Sequence, residues 1–572
     1  MNVWHFTWCI VFAFSNTFYA QDLRYENNQT LTYEEVIEAY QQLDNSSPHA
    51  VLRQFGPTDS GHPLHVLFLS ADELTENDNI ESWKKDKAVI LINNGIHPGE
   101  SCGIDASIAY ARKCLQKGIP EKVLVAIIPV YNIGGALNRG AYSRANQQGP
   151  EEHGFRGNAR NLDLNRDFIK ADALNTLSFY AIFHLLNPHI FVDTHTSNGA
   201  DYQYTMTLIS TQKDKLNPVL AEFLTQKLEP ELYTEMEGRG WPMIPYVNVF
   251  GNTPDQGYAA FLETPRYASG YTTLFNTIGF ITEAHMLKPY KDRVEATLSF
   301  LEVIIEQAAK RSEELLVAQR EADEADLKTK TLDIAWKLDE TQSRKMDFKG
   351  YQAEYLDSKV TSGKRLHYDR SVPYQAEIDY YDTYIPTQTV NIPEYYVVPA
   401  AWHRVPQLLQ YNGVEMLPLE KDTTLTVETS YVTDFEFKNT PYEGHFFLTK
   451  VKTESRIQQR QFLKGDYLVP TQQKAKRFIV SVLEPEAVDS YLRWNFYDEI
   501  FQQKEYFSAY VFEDTAEELL LQNEDLKKRF EEWRMANPEL AKSPEAQLHF
   551  IYQNSPYYEK EHLRYPVARF SK

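Results

Sequence analysis

Ala88-Val89-Ile90-Leu91-Ile92-Asn93-Asn94-Gly95-Ile96-His97-Pro98-Gly99-Glu100 decides the fold. Ala88 to Ile92 is an unbroken apolar run closed by Asn93, the pattern of a strand covered on both faces. Gly95, Pro98 and Gly99 then break the chain into a turn, and a Pro-Gly turn lets His97 and Glu100 converge on one point. The buried-strand signature returns at Val123 to Val130, His189 to Val192 and Ile278 to Ile281. Helical stretches fall between these runs, at Ile104 to Leu115, Ala171 to Leu186 and Pro218 to Met236. This alternation predicts an α/β fold with a mixed central sheet flanked by helices. In such sheets, functional groups gather where loops leave the carboxyl ends of the strands.

Further out, Tyr33 to Leu43 and Asp292 to Leu316 read as amphipathic helices, the second from Val294, Leu298, Leu301, Ile305 and Ala308 at helical spacing. The composition changes after that. Tyr374 to Pro406 is crowded with Tyr, Pro and β-branched residues, Thr423 to Lys452 alternates apolar with polar, and Phe478 to Leu483 reads as another buried strand. The expected organisation is a signal peptide over 1–20, a catalytic domain over 21–316 and a helical linker over 317–345. A β-rich C-terminal module over 346–515 and a helical tail over 516–572 complete it.

With 572 residues and a net charge of −22, the chain lacks the basic stripes that nucleic-acid binding requires. Trp8 to Phe14 form a short apolar core with Ala20 before Gln21, the pattern of a secretory signal. The run is too short to span a bilayer. The expected product is therefore secreted or periplasmic and not an integral membrane protein. Cys9 would leave with the signal, and Cys102 and Cys114 flank one helical stretch, too far apart to bridge.

Three more islands complete the chemistry: Asp163-Leu164-Asn165-Arg166, Asp193-Thr194-His195 and Thr282-Glu283. Two imidazoles, His97 and His195, with the Glu100 carboxylate make a zinc site that keeps a position open for water, a catalytic rather than a structural arrangement. His184 and His189 are rivals to His195, but they lie on a helix and its exit. Glu283, at the mouth of an apolar strand, is placed where partial desolvation raises a carboxylate toward the pKa of a general base. Glu263 is its loop-borne rival.

HPGE, DLNRD, DTHT and an apolar strand ending in Glu, in this order over Asn93 to Glu283, resemble the zinc carboxypeptidase family that includes carboxypeptidase A. That enzyme is itself a standard example of the His₂Glu site. The resemblance implies a Zn²⁺ cofactor held by His97, Glu100 and His195, with Asp163 orienting a ligating histidine. It implies Asn165 and Arg166 as the clamp on a substrate's terminal carboxylate, and Glu283 as general base. The oxyanion-stabilising arginine is Arg156, in Arg156-Gly157-Asn158 leading into Asp163, or else Arg144. Tyr258, Tyr267 and Tyr271 compete for the substrate-capping tyrosine, and Tyr271 is the one expected to bind substrate.

The implied activity is hydrolysis of a C-terminal peptide bond by zinc-activated water. The same chemistry serves a second reading, an amidohydrolase acting on peptidoglycan stem peptides or acylated amino acids. A third makes the cleft a non-catalytic peptide or glycan binder, with the Tyr-rich module supplying aromatic contacts.

Overall fold

The apolar runs become neighbouring strands in the middle of one mixed sheet. The computed structural model describes residues 23–75, 79–249 and 252–571. The expected signal peptide, 1–20, lies outside them. In chain order the first strands are β1 (Ala50–Pro57), β2 (Pro63–Ser70), β3 (Ala88–Asn93), β4 (Val123–Ile128) and β5 (Ile190–Ser197). They are followed by β6 (Met206–Ser210), β7 (Met243–Pro245), β8 (Tyr258–Ala259) and β9 (Ile278–His285). All but β8 join an eight-stranded sheet in the order β1-β2-β4-β3-β5-β9-β6-β7. Strands β4, β3, β5 and β9 run parallel, β1 and β2 pair antiparallel with their neighbours, and β6 is antiparallel to β9 but parallel to β7.

Every residue of β3 and β4 is buried, as parallel strands covered on both faces require. Helices Cys102–Lys117 and Tyr290–Lys310 pack on each other and on this sheet, and helix Leu174–Leu186 packs on β1. The first helix, Tyr33–Ser46, opens with a reciprocal cap between Thr32 and Glu35. Gly103 marks the tightest approach of helix to sheet, since a Cβ there would lie 1.9 Å from the Thr194 hydroxyl. The strands bearing the site run longer than their apolar runs. β5 continues through Asp193 to Ser197, and β9 continues through Glu283 to His285.

The second half adds β10 (Thr331–Leu338), β11 (Arg344–Asp357), β12 (Lys364–Tyr381), β13 (Tyr384–Asn391) and β14 (Tyr395–Val398). It continues with β15 (Leu417–Pro418), β16 (Thr423–Phe437), β17 (Leu448–Phe462), β18 (Tyr467–Pro470) and β19 (Arg564–Phe570). The last strand, β19, sits inside a six-stranded sheet ordered β15-β18-β14-β19-β16-β17.

Three expectations are corrected here. The linker over 317–345 is helical only to Lys328, where helix Ser312–Lys328 buries Leu315, Ala318 and Ala322 and gives way to β10. Phe478 to Leu483 is helical, within Lys476–Leu483, because a short run buried all round carries no period that separates strand from helix. The tail over 516–572 is not wholly helical but ends in β19. The expected β-rich C-terminal region is present and packs against the first half: β12 pairs with β8, and one hydrophobic core joins Phe280 and Tyr271 to Phe478 and Trp494. Among the described residues, no helix is long and apolar enough to cross a membrane.

Candidate metal centre

His97 and Glu100 come off the end of β3 in a tight turn, where the Glu100 N–H donates to the His97 carbonyl at 2.8 Å. Gly95, at φ +65°, takes the left-handed conformation that starts this turn. His195 lies on β5, whose register sets it opposite Glu283 on β9. Sheet register therefore brings together residues far apart in the chain.

The ligand-type atoms of His97, Glu100 and His195 all lie within 4.8 Å of one another, and all three residues are buried. His97 Nδ1 is 3.2 Å from Glu100 Oε1, and His195 Nδ1 is 3.0 Å from Glu100 Oε2. The far nitrogen of each ring faces a carboxylate. His97 Nε2 is 2.9 Å from Asp163 Oδ1, and His195 Nε2 is 3.0 Å from Asp193 Oδ2. Asp193 is in turn held by the Asn93 amide, which donates to its Oδ1 at 3.0 Å. Carboxylate-backed imidazoles with both Nδ1 atoms turned inward, beside a third acidic donor, are the donor set that holds a zinc-type divalent ion. These residues fit such an ion. Asp193 had no role in the sequence reading, although its signal was present: in a strand, residues two apart share a face.

Burial and neighbouring charges set the ionisation of the cluster. Burial disfavours a charged His195, but the Asp193 and Glu100 carboxylates outweigh it and hold the imidazole well above its ordinary pKa. Burial likewise opposes ionisation of Asp163, yet His97, Arg156 and Arg166 hold it far below the usual carboxylate range. Glu283 behaves differently. Burial raises its carboxyl to about 8, with Glu100 adding to the shift while His195, Arg156 and Arg144 oppose it.

A cleft of about 510 Å³ opens over these groups, and its walls include Arg144, Arg156, Asn165, Arg166 and Glu283. Arg144 is tucked against the cluster, donating to Glu100 Oε1 at 3.0 Å and to the Thr196 carbonyl at 3.4 Å. Arg156 donates to Asp163 Oδ2 at 3.0 Å and keeps 44% of its side chain exposed, so it is the freer of the two. Arg166 lies 4.4 Å over the Tyr267 ring. The rings continue from Tyr267 to Phe261 at 5.2 Å and on to Tyr246 at 6.4 Å, both edge to face. Ile209 and Ile281, register partners on β6 and β9, line the same cleft.

Tyr271 is corrected. It is fully buried, stacked on Tyr180 at 5.1 Å, and its hydroxyl donates to Asn412 Oδ1 at 2.6 Å. One helical turn separates Tyr267, at the cap of helix Ala268–Thr272, from Tyr271 inside it, and only the first lines the cleft. Tyr258 is also buried, with its hydroxyl on the Pro245 carbonyl. The rival histidines lie elsewhere. His184 faces Asn412 and His189 Nδ1 accepts the Val89 N–H, both pushed down to about 4 by burial. Glu263 is taken up by a buried ion pair with Lys215 at 3.0 Å.

No family model matches the chain. Carboxypeptidase 2 of Trichophyton rubrum is 24% identical over 491 residues, covering 80% of this chain and 83% of its own length. Carboxypeptidase 2 of Trichophyton equinum is 24% identical over 459 residues, covering 76% of this chain and 78% of the relative. Among solved structures, a metallo-carboxypeptidase from Pseudomonas aeruginosa aligns at 14% identity and a TM-score of 0.36, over 50% of this chain and 70% of the other. Carboxypeptidase A from Helicoverpa armigera aligns at 13% identity and a TM-score of 0.36, over 50% and 75% respectively.

Proposed function

We propose, for a chain that belongs with the zinc carboxypeptidases of the carboxypeptidase A type, a zinc-dependent hydrolysis of the peptide bond preceding a free C-terminal residue. One observation carries the reading: two histidines and a glutamate able to hold a metal share a cleft with a raised carboxyl and an arginine-asparagine pair. A bound zinc would polarise the scissile carbonyl and lower the pKa of water. The Glu283 carboxylate takes the proton from the attacking water and passes it to the leaving amine nitrogen. The Arg156 guanidinium donates to the carbonyl oxygen as negative charge develops there. Arg166 and the Asn165 amide hold the substrate's terminal carboxylate, a planar target suited to a guanidinium fork.

The wall beside this clamp supports a preference for the terminal side chain. Tyr267, Phe261, Tyr246, Ile209 and Ile281 supply aromatic and aliphatic surface and no charge. Peptides ending in aromatic or branched aliphatic residues should be cleaved roughly tenfold or more better than those ending in Asp or Lys.

A peptide panel with free and amidated C-termini, read by mass spectrometry, tests the clamp. Free acids should be hydrolysed and amides refused. Arg166→Ala should lower kcat/KM for free acids by about 2–5 kcal/mol, roughly 30- to several-thousand-fold. Equal cleavage of acids and amides would overturn the assignment in favour of a broader amidohydrolase. Glu283 also favours catalysis over simple peptide binding, which needs no base. Export belongs to the same proposal, supported by the apolar run Trp8 to Phe14 ahead of Ala20. The mature chain then begins at Gln21, which N-terminal sequencing reads directly.

A further inference from the structure

The turn between β16 and β17 reaches the metal centre from the far half of the chain. Tyr442 and His445 exchange backbone hydrogen bonds at 2.7 and 3.0 Å, closing a two-residue loop over Glu443 and Gly444. Both loop residues have positive φ, +50° at Glu443 and +81° at Gly444. Turns of this kind take Asn, Asp or Gly at the first position, and a glutamate there is strained. The carboxylate it presents has a use. Glu443 Oε2 accepts the backbone N–H of Asp163 at 2.8 Å.

Asp163 is the residue whose Oδ1 faces His97 Nε2 and whose Oδ2 accepts from Arg156 Nε at 3.0 Å. It also caps the short turn that carries Asn165 and Arg166, accepting the Asn165 N–H at 2.9 Å. The loop is anchored on the other side of Glu443 as well. His445 Nε2 lies 2.7 Å from Asp172 Oδ2, and Lys170 Nζ donates to the same oxygen at 2.7 Å. Tyr442 stacks on Trp494 at 6.0 Å. The loop is therefore held from both flanks, with Glu443 at its tip against Asp163.

We propose that Glu443 is a positioning residue for the metal centre: by accepting the Asp163 amide it fixes the carboxylate that orients His97 and Arg156. This rests on the assignment of His97 as a metal ligand and Asp163 as its supporting carboxylate. Fixing one end of Asp163 narrows the angles its carboxylate samples, and so the ring orientation of His97. The strain at Glu443 is retained because the contact it makes is specific. In its absence a smaller, unstrained residue would close the same loop more easily.

Glu443→Ala and Glu443→Gln, made in the full chain, test this. The glutamine keeps an acceptor oxygen on the same stem. The alanine variant should hold zinc up to tenfold more weakly in competition with a chelator, and lose kcat by a similar factor while KM stays within twofold. Glu443→Gln should restore both to within about twofold. An alanine variant with unaltered zinc affinity and kcat overturns the proposal. So does an equal loss in both variants accompanied by an equal fall in melting temperature, which would mark a merely structural contact. Zinc competition needs no substrate, so it separates this outcome from failure of the carboxypeptidase reading: wild-type protein that binds zinc but cleaves no peptide leaves the positioning test intact.

Discussion

Glu283→Gln should retain the metal of the wild-type protein and lose turnover by roughly 10²–10⁴-fold, the range a positioned general base contributes. The substitution is close to isosteric and changes only the capacity to accept a proton. Glu283 sits on β9 in register with His195 and lines the cleft, so the side chain is held by the sheet and not by a loop. Because burial raises its carboxyl, folding must either protonate the group or desolvate its charge, a cost the neutral amide avoids, and the variant should be no less stable than wild type. Metal content by mass spectrometry and kcat on a good peptide substrate decide the matter together. Hydrolysis at the wild-type rate in a metal-loaded variant would take Glu283 out of the mechanism.

Metal removal should silence the enzyme completely, and zinc alone should restore it. The donor set contains no group able to replace a divalent ion in polarising a carbonyl, so metal-free protein should show no hydrolysis above background. His195→Ala removes one of three protein ligands and should weaken zinc binding by more than the roughly 10–100-fold typical of losing a supporting carboxylate. Asp193→Asn, which leaves the ligand but loosens its backing, should fall within that smaller range. Titration against a chelator of known affinity measures both. Undiminished hydrolysis by protein shown to be free of metal would sink the entire assignment.

The site was legible where it follows from sheet register and obscure where it follows from tertiary packing. Parallel strands buried on both faces leave long apolar runs, so β3, β4 and the starts of β5 and β9 announced themselves, along with the polar residues at their ends. His97, Glu100, His195 and Glu283 are all such residues. Asp193 was visible in the same strand and was passed over, because only the geometry shows it turned toward His195. Tyr271 and Tyr267 lie one helical turn apart, and which of them faces the cleft depends on how helix Ala268–Thr272 sits on the core. No periodicity in five residues decides that. The Phe478 to Leu483 run fails for a related reason, since residues buried on every side have no polar face to mark the period. Glu443 meets Asp163 across 280 residues of chain, a contact to which a single sequence gives no clue.

Strand β19, Arg564–Phe570, lies between β14 and β16 and hydrogen-bonds to both. Its place in the middle of that sheet has a temporal consequence. Until residues 564–570 have docked, β14 and β16 have no strand between them to share hydrogen bonds with, so the six-stranded layer closes only when its latest strand in the chain arrives at its centre.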